Sequence, residues 1–229
     1  MNNSLNEKLI LAAIRGDDKA IVTLLTQGAQ VNAPGRGNTT ALMMAATEGY
    51  LSIVNTLLAN GADVNVKNEA NYTALMYAAE SNYADVAMAL ITHGADIHGR
   101  NRYGETVLMS VARKGRTELV EMLIAKGADV NATNNIGDTA LYLAADNGHT
   151  HTIEALIRHG ATVNTSNLGG WTALMTAAAK GYGATVAALL ENGADVNAKN
   201  RWGSTALKEA KKVVSSTTVE LLRKAGALE

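Results

Sequence analysis

The histidines are the side chains best suited to metal binding or general base catalysis, and their spacing supports neither role. The five are His93, His98, His149, His151 and His159. His149 and His151 lie near the predicted start of a helix, where residues i and i+2 point away from each other. His93 and His159 precede Gly-Ala pairs at equivalent helix ends, where a cation suits the helix dipole. We therefore expect no metal site.

The carboxylates and methionines recur with one period, which is typical of scaffold residues. Four aspartates stand in the same short Ala-Asp-Val or Ala-Asp-Ile motif and predict stabilised turns: Asp63, Asp96, Asp129 and Asp195. Four methionines in phase predict a semi-buried seam rather than a cofactor site: Met43, Met76, Met109 and Met175. The asparagine of a repeated Val-Asn pair admits two interpretations, a hydroxylation substrate or a turn hydrogen bond, and we favour the turn.

The sequence also lacks the residue patterns that other kinds of catalysis require. The chain has no cysteine, which excludes disulfides, cysteine zinc sites and thiol catalysis. It has no glycine-rich phosphate-binding motif, and its glycines recur singly. Because no nucleophile, base and orienting group fall together, we predict that the chain is not an enzyme and needs no cofactor.

The charge is balanced, with 20 basic and 21 acidic side chains and a formal net charge of −1. This balance argues against a general nucleic-acid binder, which needs a basic surface. No apolar run approaches the ~20 residues of a membrane span, and the N-terminus does not resemble a signal peptide. We expect a cytoplasmic protein without membrane insertion.

The elements that position these residues follow from a period of 33. A Gly-Ala pair begins at Gly28, Gly61, Gly94, Gly127, Gly160, Gly193 and Gly226. A Thr-x-Leu motif keeps the same register at Thr40, Thr73, Thr106, Thr139, Thr172 and Thr205. Val-Asn follows the Gly-Ala pair at Asn32, Asn65, Asn131, Asn164 and Asn197. Three markers in phase over almost the whole chain predict an array of repeats.

Each repeat predicts two helices. The threonine can cap the first helix, Ala-Leu-Met-x-Ala-Ala, whose small residues allow close backbone approach. The second helix carries apolar pairs spaced i, i+1, i+4 and i+5, as in Leu119-Val120-x-x-Leu123-Ile124, which form one face. Glycines end the helices, and asparagines stand where glycine is usual at Asn38, Asn71 and Asn82. We expect these asparagines to be left-handed.

Two helices and an extended turn per 33 residues resemble the ankyrin repeat, most closely at Thr73-Ala74-Leu75-Met76-Tyr77-Ala78-Ala79 and Gly127-Ala128-Asp129-Val130-Asn131. The family's Thr-Pro-Leu-His reads Thr-Ala-Leu-Met here, a departure that touches stability only. The resemblance implies an all-α ankyrin-repeat solenoid with hairpin-like connecting loops, forming a single domain over residues 1–229. Its units are about 2–34 (N-terminal cap), 35–67, 68–100, 101–133, 134–166, 167–199 and 200–229 (C-terminal cap). The first cap opens with Ser4-Leu5-Asn6-Glu7, a capping-box pattern.

The resemblance also implies a binding surface, because partners of this family usually lie on the concave side, formed by hairpin tips and first helices. Carried over by position, it contains residues that we call the concave-face set: Arg36, Tyr72, Tyr77, Glu80, Arg102, Tyr103, Arg113, Lys114, Asp138, Asp146, Trp171 and Trp202. Trp, Tyr and Arg dominate binding hot spots. For Tyr72 and Trp171, packing against the next hairpin is an equal alternative, whereas Tyr50, Tyr83 and Tyr182 share a helix start and predict scaffold.

The function predicted is a protein–protein interaction module, a monomer that binds one partner protein through the concave face. Charges on that face alternate in sign from unit to unit, which fits a protein surface better than nucleic acid. Two alternatives stay open: a regulatory or targeting module of an enzyme or effector encoded elsewhere, and a small-ligand binder using Trp171 and Trp202. The sequence does not identify the partner.

Overall fold

A computed structural model of the protein describes residues 2–213 and 215–228. Within these ranges the chain forms fourteen α-helices and one 3-10 turn, Arg36–Asn38. Isolated β-bridges such as Ser166–Thr172 occur in the connecting turns. The all-α repeat fold predicted from the sequence is confirmed.

The chain divides into two compact units, 1–102 and 103–229. The N-terminal unit contains α1 (Asn2–Arg15), α2 (Asp18–Thr26), α3 (Ala41–Glu48), α4 (Leu51–Ala59), α5 (Ala74–Glu80) and α6 (Ala84–Thr92). The C-terminal unit contains α7 (Val107–Arg113), α8 (Thr117–Ala125), α9 (Ala140–Asp146), α10 (Thr150–Arg158), α11 (Ala173–Lys180), α12 (Gly183–Glu191), α13 (Ala206–Lys212) and α14 (Ser216–Lys224). The single domain over residues 1–229 stays a prediction.

Threonine caps fix where the first helix of each pair begins. The Thr40 hydroxyl accepts a hydrogen bond from the backbone N–H of Met43 at 3.3 Å, so α3 begins at Ala41. Equivalent bonds, each to the residue three positions later, cap the other first helices after Thr73, Thr106, Thr139, Thr172 and Thr205. A cap of this kind contributes about 1 kcal/mol. The capping prediction is confirmed for the six threonines.

The N-terminal cap differs from its prediction. Helix α1 begins at Asn2 and therefore contains Ser4, whereas an N-cap residue must precede the helix. The capping-box interpretation of Ser4 and Glu7 is wrong. Four residues that match the pattern do not start a helix here, because the helix already extends N-terminal to them.

Stacking of like helices builds the core of each unit. In the N-terminal unit α3 packs between α1 and α5, and α4 packs between α2 and α6. In the C-terminal unit α9 packs between α7 and α11, and α10 packs between α8 and α12. The predicted apolar face of the second helices is buried, and Leu119, Val120 and Leu123 are each at most 1% exposed. Alanines with 0% exposure, such as Ala45 and Ala78, let the first helices approach closely.

Left-handed residues turn the chain between these helices. Asn38, Asn71 and Asn82 have φ values of 61°, 60° and 68°, which confirms their predicted conformation. Gly49, with φ 78°, also leaves room for a neighbour, since a Cβ there would lie 2.5 Å from Cε1 of Tyr83. This contact supports the prediction that Tyr83 belongs to the scaffold.

The Val-Asn asparagines join consecutive repeats. The Asn164 side chain donates to the carbonyl of Gly193 at 3.0 Å and accepts from the backbone N–H of Asp195 at 2.8 Å. The same pair of bonds is made by Asn32, Asn65, Asn131 and Asn197. These side chains bond to the next repeat and not within their own turn, so the prediction of a turn hydrogen bond is wrong about the partner.

Candidate binding surface

An asparagine at the start of four hairpins closes the tip. The Asn167 side-chain oxygen accepts from the backbone N–H of Gly169 at 2.9 Å and of Trp171 at 3.0 Å. The same two bonds are made by Asn68, Asn134 and Asn200. The sequence analysis missed these residues, although a signal was present, because asparagine recurs every 33 residues from Asn68 to Asn200.

Backbone hydrogen bonds place the tips of each unit in register. In the C-terminal unit, Leu168 N donates to Ile136 O at 2.9 Å and Arg201 N donates to Gly169 O at 3.1 Å. In the N-terminal unit, Glu69 N donates to Gly37 O at 3.0 Å. Each tip is therefore held to the preceding one. Side chains at equivalent tip positions form a row along the unit.

Large apolar side chains occupy this row in the C-terminal unit. At equivalent positions Tyr103 is 64% exposed, Ile136 59% and Trp202 74%, and Leu168, next to the equivalent Gly169, is 58% exposed. Tyr103 and Trp202 belong to the concave-face set, and both side chains are mostly exposed.

The structure brings together Tyr72, Tyr77 and Glu80 in the N-terminal unit. The two tyrosine rings lie 5.3 Å apart between centroids, tilted by 45°. The Tyr72 hydroxyl donates to the Glu80 carboxylate at 3.0 Å, and the Asn68 amide donates to the Tyr77 hydroxyl at 2.8 Å. Burial raises the pKa of the Tyr77 phenol, against the Asn68 hydrogen bond and with the nearby Glu80 charge. The cluster is half-buried and anchored by bonds within its unit.

The cations of the concave-face set fall into two groups. Arg36, Arg102 and Lys114 are exposed, and the Arg102 guanidinium donates to the carbonyl of Glu69 at 2.7 Å. Arg113 instead forms an ion pair with Glu105, whose side chain is 9% exposed. The sequence analysis did not select Glu105 as a partner of Arg113. The pair neutralises a buried carboxylate and fixes the guanidinium.

Asp138 and Asp146 occupy different environments. Asp138 is 5% exposed and accepts a hydrogen bond from the Asn167 amide at 2.8 Å. Burial raises the pKa of the Asp138 carboxyl, against hydrogen bonds from Asn167 and Asn134. Its carboxylate therefore holds two hairpins together. Asp146 is half-exposed, accepts from the Thr176 hydroxyl at 3.0 Å and lies 3.6 Å from Lys180 Nζ.

Trp171 and Trp202 line a surface cavity of about 530 Å³ together with residues of α13. One of these, Glu209, is 6% exposed and accepts from Lys212 Nζ at 2.7 and 2.8 Å and from the Ser204 hydroxyl. Burial acts to raise the pKa of Glu209, but the bonds from Lys212 and Ser204 outweigh it and lower the pKa. Glu209 is therefore an ionised, paired carboxylate in the cavity wall.

Three of the five histidines lie at helix ends or against the next repeat. His149 packs on Gly115, and its Nε2 lies 3.0 Å from the carbonyl oxygen of Arg113. His93 and His159 are the C-cap residues of α6 and α10. Among residues 2–213 and 215–228, no three His, Cys, Asp or Glu side chains are placed to hold a metal ion. In the same ranges no helix combines the length and apolar character required to cross a membrane.

Comparisons with known proteins agree with this architecture. A family model described as ankyrin repeats (3 copies) matches residues 65–134 and 108–200, and one described as ankyrin repeats (many copies) matches residues 24–78. The crystal structure of the human ASB11 ankyrin repeat domain is similar at a TM-score of 0.88 and 25% sequence identity, covering 96% of this chain and 98% of that one. None of the curated proteins matches the sequence significantly.

Proposed function

This chain belongs to the ankyrin-repeat family, whose members are generally protein–protein interaction modules, and from that premise we propose that it binds a partner protein through the concave-face set. The observation that carries the proposal is the exposed row at the C-terminal hairpin tips. Tyr103 and Trp202 expose 64% and 74% of their surface while the backbone beneath them is fixed by hydrogen bonds. Rigid, exposed aromatic side chains are typical anchors of protein interfaces.

The charges of this surface favour a protein partner over nucleic acid. Carboxylates and cations are interleaved, as in the pairs Arg113–Glu105 and Lys180–Asp146. A phosphate backbone is best matched by an unbroken basic stripe. We expect negligible binding to nonspecific DNA at moderate salt, and tight binding that weakens steeply with added salt would contradict the proposal.

The proposal is tested by capturing the partner from a lysate of the source cell and titrating it against tip variants. Trp202→Ala and Tyr103→Ala should each weaken binding by about 1–3 kcal/mol if these side chains are anchors. Val22→Ala is the matched control, because Val22 is 54% exposed on α2, a second helix outside the set. If neither Trp202→Ala nor Tyr103→Ala changes the affinity, or if only Val22→Ala does, the partner binds a different surface and the proposal is wrong.

A further inference from the structure

We propose that the cavity between Trp171 and Trp202 takes an apolar side chain of the partner together with an adjacent aspartate or glutamate. This inference rests on the proposed function, and it assigns a chemistry to one part of the binding surface. The occupant is an extended peptide segment of a partner protein, in which the apolar side chain contacts the indoles and the carboxylate lies beside Lys208.

Gly169 lets the two indoles lie close to its backbone. A Cβ on Gly169 would lie 3.2 Å from Cδ1 of Trp171 and 3.5 Å from Cζ3 of Trp202. Gly169 is not among the residues with positive φ, so the backbone does not require glycine there. The equivalent tip positions carry Tyr103, Ile136 and Trp202. The indoles therefore occupy the space beside Gly169, and a larger side chain there would press against both rings.

The two indoles supply the apolar wall. Trp202 is 74% exposed and Trp171 is half-buried, and both line the cavity. The cavity has a volume of about 530 Å³ and is open to solvent. Aromatic walls bury large apolar area at small entropic cost. An aliphatic or aromatic side chain is the group these walls favour.

The charged wall selects an acid. Three charged side chains line the cavity: Lys208, Glu209 and Lys212. The Glu209 carboxylate already accepts both hydrogen bonds of Lys212 Nζ and is balanced by it. Lys208 Nζ contacts the carbonyl of Gly203 at 3.3 Å and pairs with no carboxylate in the described parts of the chain. Two cations against one anion leave one positive charge facing the cavity, which favours a carboxylate.

The cavity carries its own reporter, because Trp171 and Trp202 are the only tryptophans in the sequence. Tryptophan fluorescence therefore reports binding at this cavity, without a signal from tryptophans elsewhere. A random-sequence peptide library displayed on phage is selected on the wild-type protein and, in parallel, on Gly169→Leu, whose side chain would press against both indoles and disturb the cavity wall. Selected peptides are then titrated by fluorescence, each beside its own Glu→Gln or Asp→Asn version and beside a version with phosphoserine in place of the acid.

We expect selected peptides to share an apolar residue next to an acid, and to be absent from selection on Gly169→Leu. Lys208→Gln should weaken the acidic peptides about three- to tenfold and leave their amide versions unchanged. Lys199→Gln is the matched control, since Lys199 is an exposed lysine of the same region outside the cavity lining. Lys208 is itself exposed, so its removal leaves the fold intact and keeps the test independent of Gly169→Leu.

Three outcomes would overturn the inference: no peptide above background, selected peptides without an acid, or equal loss with Lys208→Gln and Lys199→Gln. Stronger binding of the phosphoserine versions than of the acidic ones would assign the cavity to a phosphopeptide instead. Failure of this inference differs from failure of the proposed function. In the first case the captured partner still responds to Tyr103→Ala, which lies outside the cavity, and in the second it does not.

Discussion

The Asn65 side chain ties its repeat to the next one at Gly94. Its amide donates to the Gly94 carbonyl at 3.1 Å, and its oxygen accepts from the backbone N–H of Asp96 at 2.8 Å. Gly94 and Asp96 lie in the turn that follows α6 (Ala84–Thr92), so the bonds give partners to backbone groups of that turn. One carboxamide thereby fixes the spacing between consecutive helix pairs, which no hydrophobic contact could do with the same directionality.

Replacing this asparagine should loosen the repeat junction. We expect Asn65→Ala to lower the free energy of unfolding by about 1–3 kcal/mol, since it removes two hydrogen bonds of ~0.5–1.5 kcal/mol each. Urea denaturation measures the change. Asn55→Ala is the matched control, because Asn55 is exposed on α4 and makes no side-chain hydrogen bond among the described residues. Equal effects of the two substitutions would show that the two hydrogen bonds of Asn65 do not contribute to the free energy of unfolding.

Core and tip residues should separate in their effects on stability. Leu123 is 0% exposed on α8, and Leu123→Ala should cost about 2–5 kcal/mol through lost burial and a cavity. Tyr103→Ala and Trp202→Ala should cost about 1 kcal/mol or less, because their rings are mostly exposed. Chemical denaturation of the three variants provides the comparison. Costs as large as that of Leu123→Ala would make the tip rings part of the core.

Two left-handed glycines offer a test of close packing. Gly49 and Gly94 have φ values of 78° and 86°, so alanine is strained by backbone conformation at both. A Cβ on Gly49 would strike Tyr83, whereas one on Gly94 would meet nothing within 4 Å. We expect Gly49→Ala to destabilise by about 1–3 kcal/mol more than Gly94→Ala. Thermal unfolding of both variants measures the difference. Equal melting temperatures would show that close packing of Tyr83 on Gly49 does not affect stability.

Asp138 should make stability depend on pH. Its carboxyl has a raised pKa in the folded state, so the folded state binds the proton more tightly than the unfolded state does. Ionisation therefore costs stability as the pH rises from the ordinary value of about 4 through the raised value. Asp138→Asn keeps an acceptor for Asn167 and removes the charge.

We expect the Asp138→Asn variant to be more stable than the wild type at neutral pH, with the difference shrinking as the pH falls toward 4. Urea titrations at a series of pH values measure it. Asp146→Asn, at a half-exposed carboxylate on the same surface, controls for loss of one negative charge. A variant less stable than the wild type at every pH would show that the ionised form is the stabilising one.

The prediction of a single domain concerns cooperativity. Leu57 is buried in the N-terminal unit and Leu123 in the C-terminal unit, both with 0% exposure. If residues 1–229 unfold as one domain, Leu57→Ala and Leu123→Ala shift the same transition. Calorimetry of each variant measures this. Two transitions, each moved by only one substitution, would make the compact units independent, as nearest-neighbour coupling in repeat arrays permits.

The sequence by itself determined the repeat, the helix pairs and their caps. Thr40 and its five equivalents each accept a hydrogen bond from a backbone N–H three residues later. Asn38 adopts the left-handed backbone conformation, which depends on its own residue type. Such local interactions can be predicted from the sequence, because the repeat period and the residue type are enough to specify them. The exception, Ser4, failed because the position of a helix start depends on residues outside the four-residue pattern.

Tertiary structure alone decided which side chains of the binding surface are available. Asp138 and Trp202 look alike in sequence, since each stands near a hairpin tip, yet one is 5% exposed and the other 74%. The difference arises from Asn167, 29 residues from Asp138, whose amide holds the carboxylate under the next hairpin. Likewise the surface cavity forms only because two indoles from successive repeats, Trp171 and Trp202, both line it. The exposure of a side chain and the shape of a cavity depend on contacts between repeats. The repeat period in the sequence does not specify which variable residues of neighbouring repeats come into contact.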